Sequence, residues 1–446
     1  MNAETSANNT SDKVRELQRV LYRTAKQNRV RRFHALYDKV YRMDVLQRAW
    51  ERVKENDGAA GVDGETLKQI EEYGVNLILL EIRHTLWKGE YRPQPVRRRH
   101  IPKPDGRFRP LGIPAVRDRI VQMATKIVIE PVFEADFREC SHGFRPKRSG
   151  HQAVKAIQEG MRWAHYVIDA DIVGFFDNID HGLLMEKVER RISDRRILKL
   201  IRQWLSAGVM EDGEVRDTVL GTPQGGVISP LLANIYLNYL DETWEEQGKH
   251  LGTLIRYADD FVVLSHTRRE AERAMKGIRI LLERLKLQLH PEKTKLVCLW
   301  EGQKGFDFLG FHFRKVKART KNWYYPNHWP SRKAERAIRQ KVKGVTGPRH
   351  RLKESVTTLI QELNRKIEGW ATYYGYGTDY WRFADLDWYI EGSLRLFLNK
   401  KHKVLSKYHV GRYTHGWFQD RGLKSLATVV KIRNANADGE GHRRAV

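Results

Sequence analysis

Leu254-Ile255-Arg256-Tyr257-Ala258-Asp259-Asp260-Phe261-Val262-Val263-Leu264 decides the fold. Two short apolar runs flank a pair of adjacent carboxylates, so the pattern predicts a β-hairpin with Asp259 and Asp260 at its tip. Adjacent acids at an apolar tip are costly, through mutual repulsion and desolvation, unless a cation compensates them. An isolated acid pair is ordinarily surface charge; the apolar flanks reverse that reading. Upstream, residues 166–176 alternate β-branched and aromatic residues with small or acidic ones and predict a strand, on which Asp169 and Asp171 share a face. Carboxylates at the ends of neighbouring strands are the hard oxygen donors that a two-metal clamp on a phosphoryl centre requires. Asp171 and Asp259 meet that requirement, and Asp260 either ligates or organises the hairpin. Asp177 and Asp169 come second, since Asp177 could simply cap a helix beginning near Asp180.

The rest of the chain supplies a setting for these acids. Its 446 residues imply two to four domains, and 81 Lys+Arg against 55 Asp+Glu give a net charge of +26. That excess favours a polyanionic partner. The longest aliphatic runs, such as Leu77-Ile78-Leu79-Leu80, fall far short of a membrane span. The N-terminus carries Glu4 and no apolar segment, so no secretory leader is expected. Two cysteines, Cys140 and Cys298, exclude a disulfide framework and a Cys-rich zinc site, and a cytoplasmic protein without membrane contact is expected.

Residues 13–53 show helical spacing (Val14, Leu17, Leu21) and read as a basic helical arm including Arg29, Arg31 and Arg32, its outer face set against RNA or solvent. Residues 91–114 form a Pro- and Arg-rich extended segment in which Asp105-Gly106 marks a turn between two strands. Helices are predicted over 77–86, 117–133, 183–205 and 271–287, with a further one running to Leu240 after a Gly/Pro turn; 306–313 reads as a hairpin or strand. The stripe Leu352, Val356, Leu359, Ile360, Leu363, Ile367 predicts a helix stopped by Gly369, and residues 386–398 a second. Residues 331–446 hold 24 Lys+Arg against 11 acids, half of the net charge. Fourteen aromatics lie between Trp370 and Phe418, at least half of them expected as core of a small basic helical domain.

Tyr257-Ala258-Asp259-Asp260 resembles motif C of reverse transcriptases, and Asp171-Ile172-Val173-Gly174-Phe175-Phe176-Asp177 resembles their motif A. Gly221-Thr222-Pro223-Gln224-Gly225-Gly226 with Ser229-Pro230 resembles motif B of the group II intron branch, and the three follow in order within about ninety residues. Ser141-His142-Gly143-Phe144-Arg145-Pro146, Ile101-Pro102-Lys103-Pro104, Arg109-Pro110-Leu111-Gly112-Ile113-Pro114 and Phe308-Leu309-Gly310 are similar to further segments of that branch. Ile367-Glu368-Gly369-Trp370 with Tyr373-Tyr374 resembles its maturase domain.

This resemblance implies an α+β right-hand polymerase: a basic helical extension (1–60), fingers (61–165), palm (166–320), an α-helical thumb or maturase domain (321–430) and a tail (431–446). It implies catalysis by Asp171, Asp259 and Asp260, with two Mg2+ held by Asp171, Ile172, Asp259 and Asp260. Lys103, Arg109, Phe175, Phe176, Gln224, Gly225 and Lys293 would bind the nucleotide. Lys103 supplies a point charge and Arg109 a bidentate fork to a triphosphate. Either Phe175 or Phe176 would exclude a 2′-hydroxyl while the other faces the core, and Phe176 is preferred as the gate. Gly225 would let the main chain approach a nucleotide, and Lys293 could protonate pyrophosphate. RNA contacts are expected from Arg29, Arg31, Arg32, Arg97, Arg98, Lys341, Lys343, Lys400, Lys401, Lys403 and Arg412.

The implied activity is RNA-directed DNA synthesis from a DNA primer on an intron RNA template, joined to splicing of that RNA and to intron retrohoming. Its implied partners are group II intron RNA, dNTPs and target DNA, with nucleoid association during retrohoming; a homodimer is left open. No cysteine follows Cys298, so an HNH-type endonuclease domain is not expected and a primer would come from elsewhere, such as a nascent strand. Two alternatives stand beside this reading: a splicing maturase with little polymerase activity, and a reverse transcriptase domesticated for host defence. Intact Asp171, Asp259, Asp260 and Gln224 argue against the first, and the maturase-like segment against the second.

Overall fold

The computed structural model describes residues 3–432 except 103–105, 107, 212–213, 217–219, 222–224, 320–321, 378–379 and 405–411, with side chains from residue 12 onward but not at 215 and 216. Its strands are β1 (Val96–Pro102), β2 (Phe108–Ile113), β3 (Tyr166–Ala170), β4 (Val209–Glu211), β5 (Glu214–Arg216), β6 (Thr253–Tyr257), β7 (Asp260–Ser265), β8 (Lys295–Cys298), β9 (Gly305–Phe308), β10 (Phe311–Lys317) and β11 (Tyr324–Pro330). They form three sheets, of order β2-β1-β4-β5, β6-β7-β3-β8 and β11-β10-β9. Two compact units result, Met1–Ala153 with Ile168–Leu296, and Val154–Val167 with Val297–Val446.

The first unit is built around the helix Val116–Glu134, which is buried on nearly every side, as expected for a helix apolar all round. Onto it the N-terminal helix Ala3–Gln27 lays Val14, Leu21 and Ala25, while Gln18 Nε2 and Lys26 Nζ donate to the carbonyls of Ile127 and Ala135 at 3.1 Å each. The basic arm is therefore docked through its apolar face, and Arg15 and Arg19 point outward. It is not one helix to residue 53: the chain turns after Gln27, and helices resume at Tyr37–Val40 and Met43–Glu55.

Two further expectations are corrected. Residues 183–205 form two helices, His181–Glu189 and Arg195–Leu205. Asp194 separates them, capping the second through the amides of Arg196 and Ile197 and accepting from those of Leu36 and Tyr37 at 2.8 Å; a short acid that serves four main-chain donors is worth more at a cap than inside a helix. The strand predicted over 166–176 stops at Ala170, and Gly174, at φ +49°, turns the chain into a 3-10 turn over Phe175–Asp177. Asp180, not Asp177, caps the next helix, accepting from the Leu183 amide at 2.9 Å.

In the second unit β9, β10 and β11 form an antiparallel sheet. The helices Arg332–Thr346, Val356–Tyr374 and Ala384–Lys401 enclose a core of Ile338, Leu363, Ile367, Phe383, Phe397 and Phe418. Gly369 does not stop its helix, which runs on to Tyr374. A Cβ at Gly369 would meet nothing within 4 Å, and Leu359, Leu363, Ile367 and Ala371 hold the inner face across it. Tyr373 and Tyr374 pack on the sheet: the Tyr373 hydroxyl donates to the Leu309 carbonyl at 3.2 Å, and the Tyr374 ring lies 5.1 Å from that of Phe311.

Candidate active site

β6 and β7 pair from Thr253↔Leu264 to Tyr257↔Asp260, leaving a two-residue tip of Ala258 and Asp259. Two-residue turns that match strand twist need a positive φ, and Ala258 takes it at +58°. β3 is the neighbour of β7, and Asp171 follows β3 directly. Three contacts from one downstream segment hold this point. The His290 amide donates to the Asp171 carbonyl and the Val173 amide to the Gln288 carbonyl, at 2.8 and 2.9 Å, and Lys293 Nζ donates to Asp171 Oδ2 at 2.7 Å.

The electrostatics follow from this convergence. Burial raises the pKa of Asp259, Asp171 raises it further, and Arg109 and Arg256 oppose the rise. Asp260 is pushed up to about 6 by desolvation, then by Asp259 and Asp171, against Lys293 and Arg109. Asp260 is exposed, so solvent screens much of the energy that this shift would otherwise represent. Three carboxylates thus share one field with too little positive charge, and their oxygens suit a hard divalent cation. Among the described residues no three His, Cys, Asp or Glu side chains close into a ready metal cage; Asp171 is turned to Lys293 instead. Ile172 is buried and could serve a metal only through its main-chain carbonyl.

Arg109 is exposed on β2 opposite Ile101, and its charge acts on both Asp259 and Asp260. Phe175 is 2 % exposed and Phe176 half-buried, their rings edge-to-face at 5.2 Å. The 3-10 turn separates them, not strand alternation as the sequence suggested. Lys103 and Gln224 lie outside the described residues.

Gly225 has φ +113°, and a Cβ there would stand 2.5 Å from the Gly112 carbonyl and 2.9 Å from Leu111 Cδ1. Its close neighbour is thus the main chain of β2, and the glycine couples motif B to the strand that carries Arg109. Gly225→Ala should therefore lower kcat/KM for dNTP by about tenfold or more, at the cost of overpacking and a strained φ. Steady-state primer extension checks it, and an unchanged kcat/KM would refute the coupling.

The expected RNA contacts are dispersed. Arg29, Arg31 and Arg32 sit in the turn after the N-terminal helix, where Arg191 donates to the Asn28 and Arg29 carbonyls and Arg31 lies 5.5 Å from the Phe33 ring. Arg97 and Arg98 are consecutive on β1 and face opposite ways, both half-buried. Lys341 and Lys343 are exposed on the helix Arg332–Thr346. Lys400 and Lys401 end the helix Ala384–Lys401; Lys400 is exposed, whereas Lys401 Nζ donates to the Glu354 carbonyl. Lys403 is exposed, and Arg412 lies 5.8 Å from the Tyr413 ring.

Sequence reading missed the supports of the site. Arg256, in the middle of an apolar strand, is wholly buried and paired with Asp241, and His290 and Thr294 brace Asp171. A lone arginine between apolar strand residues was the available signal for the first; nothing local marks the others.

Comparison with known proteins agrees with this geometry. Residues 101–313 match the profile "Reverse transcriptase (RNA-dependent DNA polymerase)", and residues 335–417 match "Group II intron, maturase-specific domain". The chain is 38 % identical to Protein YkfC of Escherichia coli (strain K12) over 297 residues, covering 58 % of this chain and 77 % of that protein. It is 29 % identical to the group II intron-encoded protein LtrA of Lactococcus lactis subsp. cremoris over 463 residues, covering 84 % of this chain and 76 % of the relative. A putative COX1/OXI3 intron 1 protein of Saccharomyces cerevisiae is 31 % identical over 256 residues, 57 % of this chain and 29 % of that protein. No helix among the described residues is long and apolar enough to cross a membrane. With the acids on one sheet and both profiles in sequence, the chain belongs to the group II intron-encoded reverse transcriptase and maturase family: a divalent-metal-dependent polymerase that binds intron RNA and acts in its splicing.

Proposed function

We propose that the protein copies its intron RNA into DNA from a DNA primer and so supports retrohoming into target DNA, and that Mg2+ is its metal, held by Asp171, Asp259 and Asp260. The supporting observation is that Asp171, directly after β3, raises the pKa of both Asp259 and Asp260 at the tip of the β6–β7 hairpin. Two bound Mg2+ would stabilise negative charge on the attacking 3′-oxygen and on the leaving pyrophosphate. The chain's own residues do the rest. Arg109 presents a bidentate fork to the triphosphate, and Lys103, Gln224 and Gly225 complete the nucleotide site. Lys293 Nζ holds Asp171 in the free protein and donates its proton to the leaving pyrophosphate.

We assign fingers, palm and thumb to residues 61–165, 166–320 and 321–430, with 1–60 and 431–446 as flanking segments. A cytoplasmic site of action beside the nucleoid suits these partners.

The test is extension of a DNA primer on an RNA template with Mg2+, dNTPs being compared with rNTPs. Phe176→Ala should reduce the preference for dNTPs by about a hundredfold, since a wall of carbon excludes an added hydroxyl by no more than that. Phe175→Ala should instead open a core cavity and cost about 3–5 kcal/mol of stability. Absence of extension by the parent overturns the polymerase reading; relaxed sugar choice in Phe175→Ala alone overturns the gate.

A further inference from the structure

We infer that Arg256, with Asp241 and Asn234, is the positioning group of the catalytic hairpin: it grips the main chain at Ala258 and thereby sets where Asp259 presents its carboxylate. The inference rests on the polymerase reading of Asp259.

Arg256 is 0 % exposed, and so is its partner Asp241. Its Nε donates to Asp241 Oδ1 at 2.8 Å and its Nη2 to Asp241 Oδ2. The remaining nitrogen, Nη1, reaches forward and donates to the Ala258 carbonyl at 2.8 Å and to Asn234 Oδ1 at 3.0 Å. The side chain therefore clasps the tip of its own hairpin, one residue before the first metal-binding acid. Asn234 is itself buried, and its Nδ2 donates to the Gly143 carbonyl at 2.8 Å. Gly143 lies so close to the tip that a Cβ would stand 2.4 Å from the Ala258 nitrogen. The main chain closes the clamp: the Arg256 amide donates to the Cys140 carbonyl and the His142 amide to the Arg256 carbonyl, both at 2.8 Å.

Two facts set this arrangement apart from ordinary core packing. A buried ion pair is seldom the most stable filling for its volume, because desolvation offsets most of the attraction, and an apolar pair of similar size serves stability as well. Fold stability alone therefore does not call for Arg256. In addition, Ala258 sits at φ +58°, a left-handed conformation that a residue with a Cβ resists. Such a tip persists only when its surroundings over-determine it, and the guanidinium on the Ala258 carbonyl and the Gly143 main chain on the Ala258 nitrogen do so from both sides.

The experiment compares the double variant Arg256→Met with Asp241→Leu against Asn234→Ala and the parent. Melting temperature, RNA affinity, kcat, KM for dNTP, and Mn2+ affinity by electron paramagnetic resonance are read for each. The double variant should melt within a few degrees of the parent and bind RNA as well. Its kcat should fall about a hundredfold, as for a misplacement of about 1 Å at the reacting centre, with KM for dNTP little changed. Mn2+ should bind about tenfold more weakly, the size of effect seen when a support of a metal ligand is lost.

A stable double variant with parental kcat and Mn2+ affinity overturns the inference. Should the double variant not fold, Asn234→Ala decides, because it keeps the ion pair and removes only the tethers to Arg256 and Gly143. Weakened Mn2+ binding at a parental melting temperature then supports the inference, and parental Mn2+ binding overturns it. The two readings fail separately: undiminished extension and Mn2+ binding in Asp259→Asn would sink the polymerase assignment, whereas a dead Asp259→Asn beside a fully active double variant sinks only the role of Arg256.

Discussion

Asp259→Asn should lower DNA synthesis by about three orders of magnitude, the loss expected when one preorganised charge at a phosphoryl centre is removed, while RNA affinity stays within about twofold. The substitution keeps the volume and removes the charge. In the metal-free protein that charge is a burden, for Asp259 is desolvated and repelled by Asp171. The same variant should therefore melt higher than the parent in the absence of divalent metal, and the gain should vanish when Mg2+ and substrate are present, because only the parent then gains binding energy. An inactive protein of raised melting temperature distinguishes loss of a functional charge from loss of fold. Continued synthesis would show that the metal is held elsewhere; lost RNA affinity would mean that the hairpin itself meets the RNA. Primer extension, filter binding and thermal melts with and without Mg2+ read all three.

The hairpin was legible in sequence because two apolar runs around two acids admit few folds, and the structure forms it there. The strand before Asp171 was legible, but not its end. Its turn depends on Gly174 taking φ +49°, and a glycine among β-formers does not announce which region it will occupy. Asp194 split a continuous helical pattern because its carboxylate found the amides of Leu36 and Tyr37, more than 150 residues away, which no local window contains. Gly369 failed as a stop for the converse reason: packing on the inner face of its helix outweighs the modest cost of one exposed glycine.

Arg97 and Arg98 were both expected to meet RNA, and β1 sets them on opposite faces. Arg256 was the largest omission. In a chain with 81 Lys+Arg a single arginine looks like part of the solvated excess, and its role is visible only once Asp241 and Asn234 are seen beside it.

Neutralising Lys400, Lys401 and Lys403 together to Gln should weaken binding to the intron RNA and flatten its salt dependence, by less than three full contacts would predict. Each phosphate contact contributes close to one unit to the slope of log affinity against log salt. Lys401 already donates to the Glu354 carbonyl, so its ammonium is partly committed within the protein, whereas Lys400 and Lys403 are exposed. A slope change of about two units follows, and between 50 and 200 mM salt the parent should lose about tenfold more affinity than the triple variant. Lys400 and Lys401 also lie in the last turn of the helix Ala384–Lys401, where cations oppose the helix dipole, so weaker binding alone could follow from fraying. The slope separates the two causes, since a frayed but unengaged helix end lowers melting temperature and leaves counterion release unchanged. Lys401→Gln by itself should show the reverse balance, a lower melting temperature with a nearly parental slope. A triple variant with the parental slope would take this helix end out of the RNA interface and leave recognition to other cations, among them Lys341 and Lys343 on the helix Arg332–Thr346.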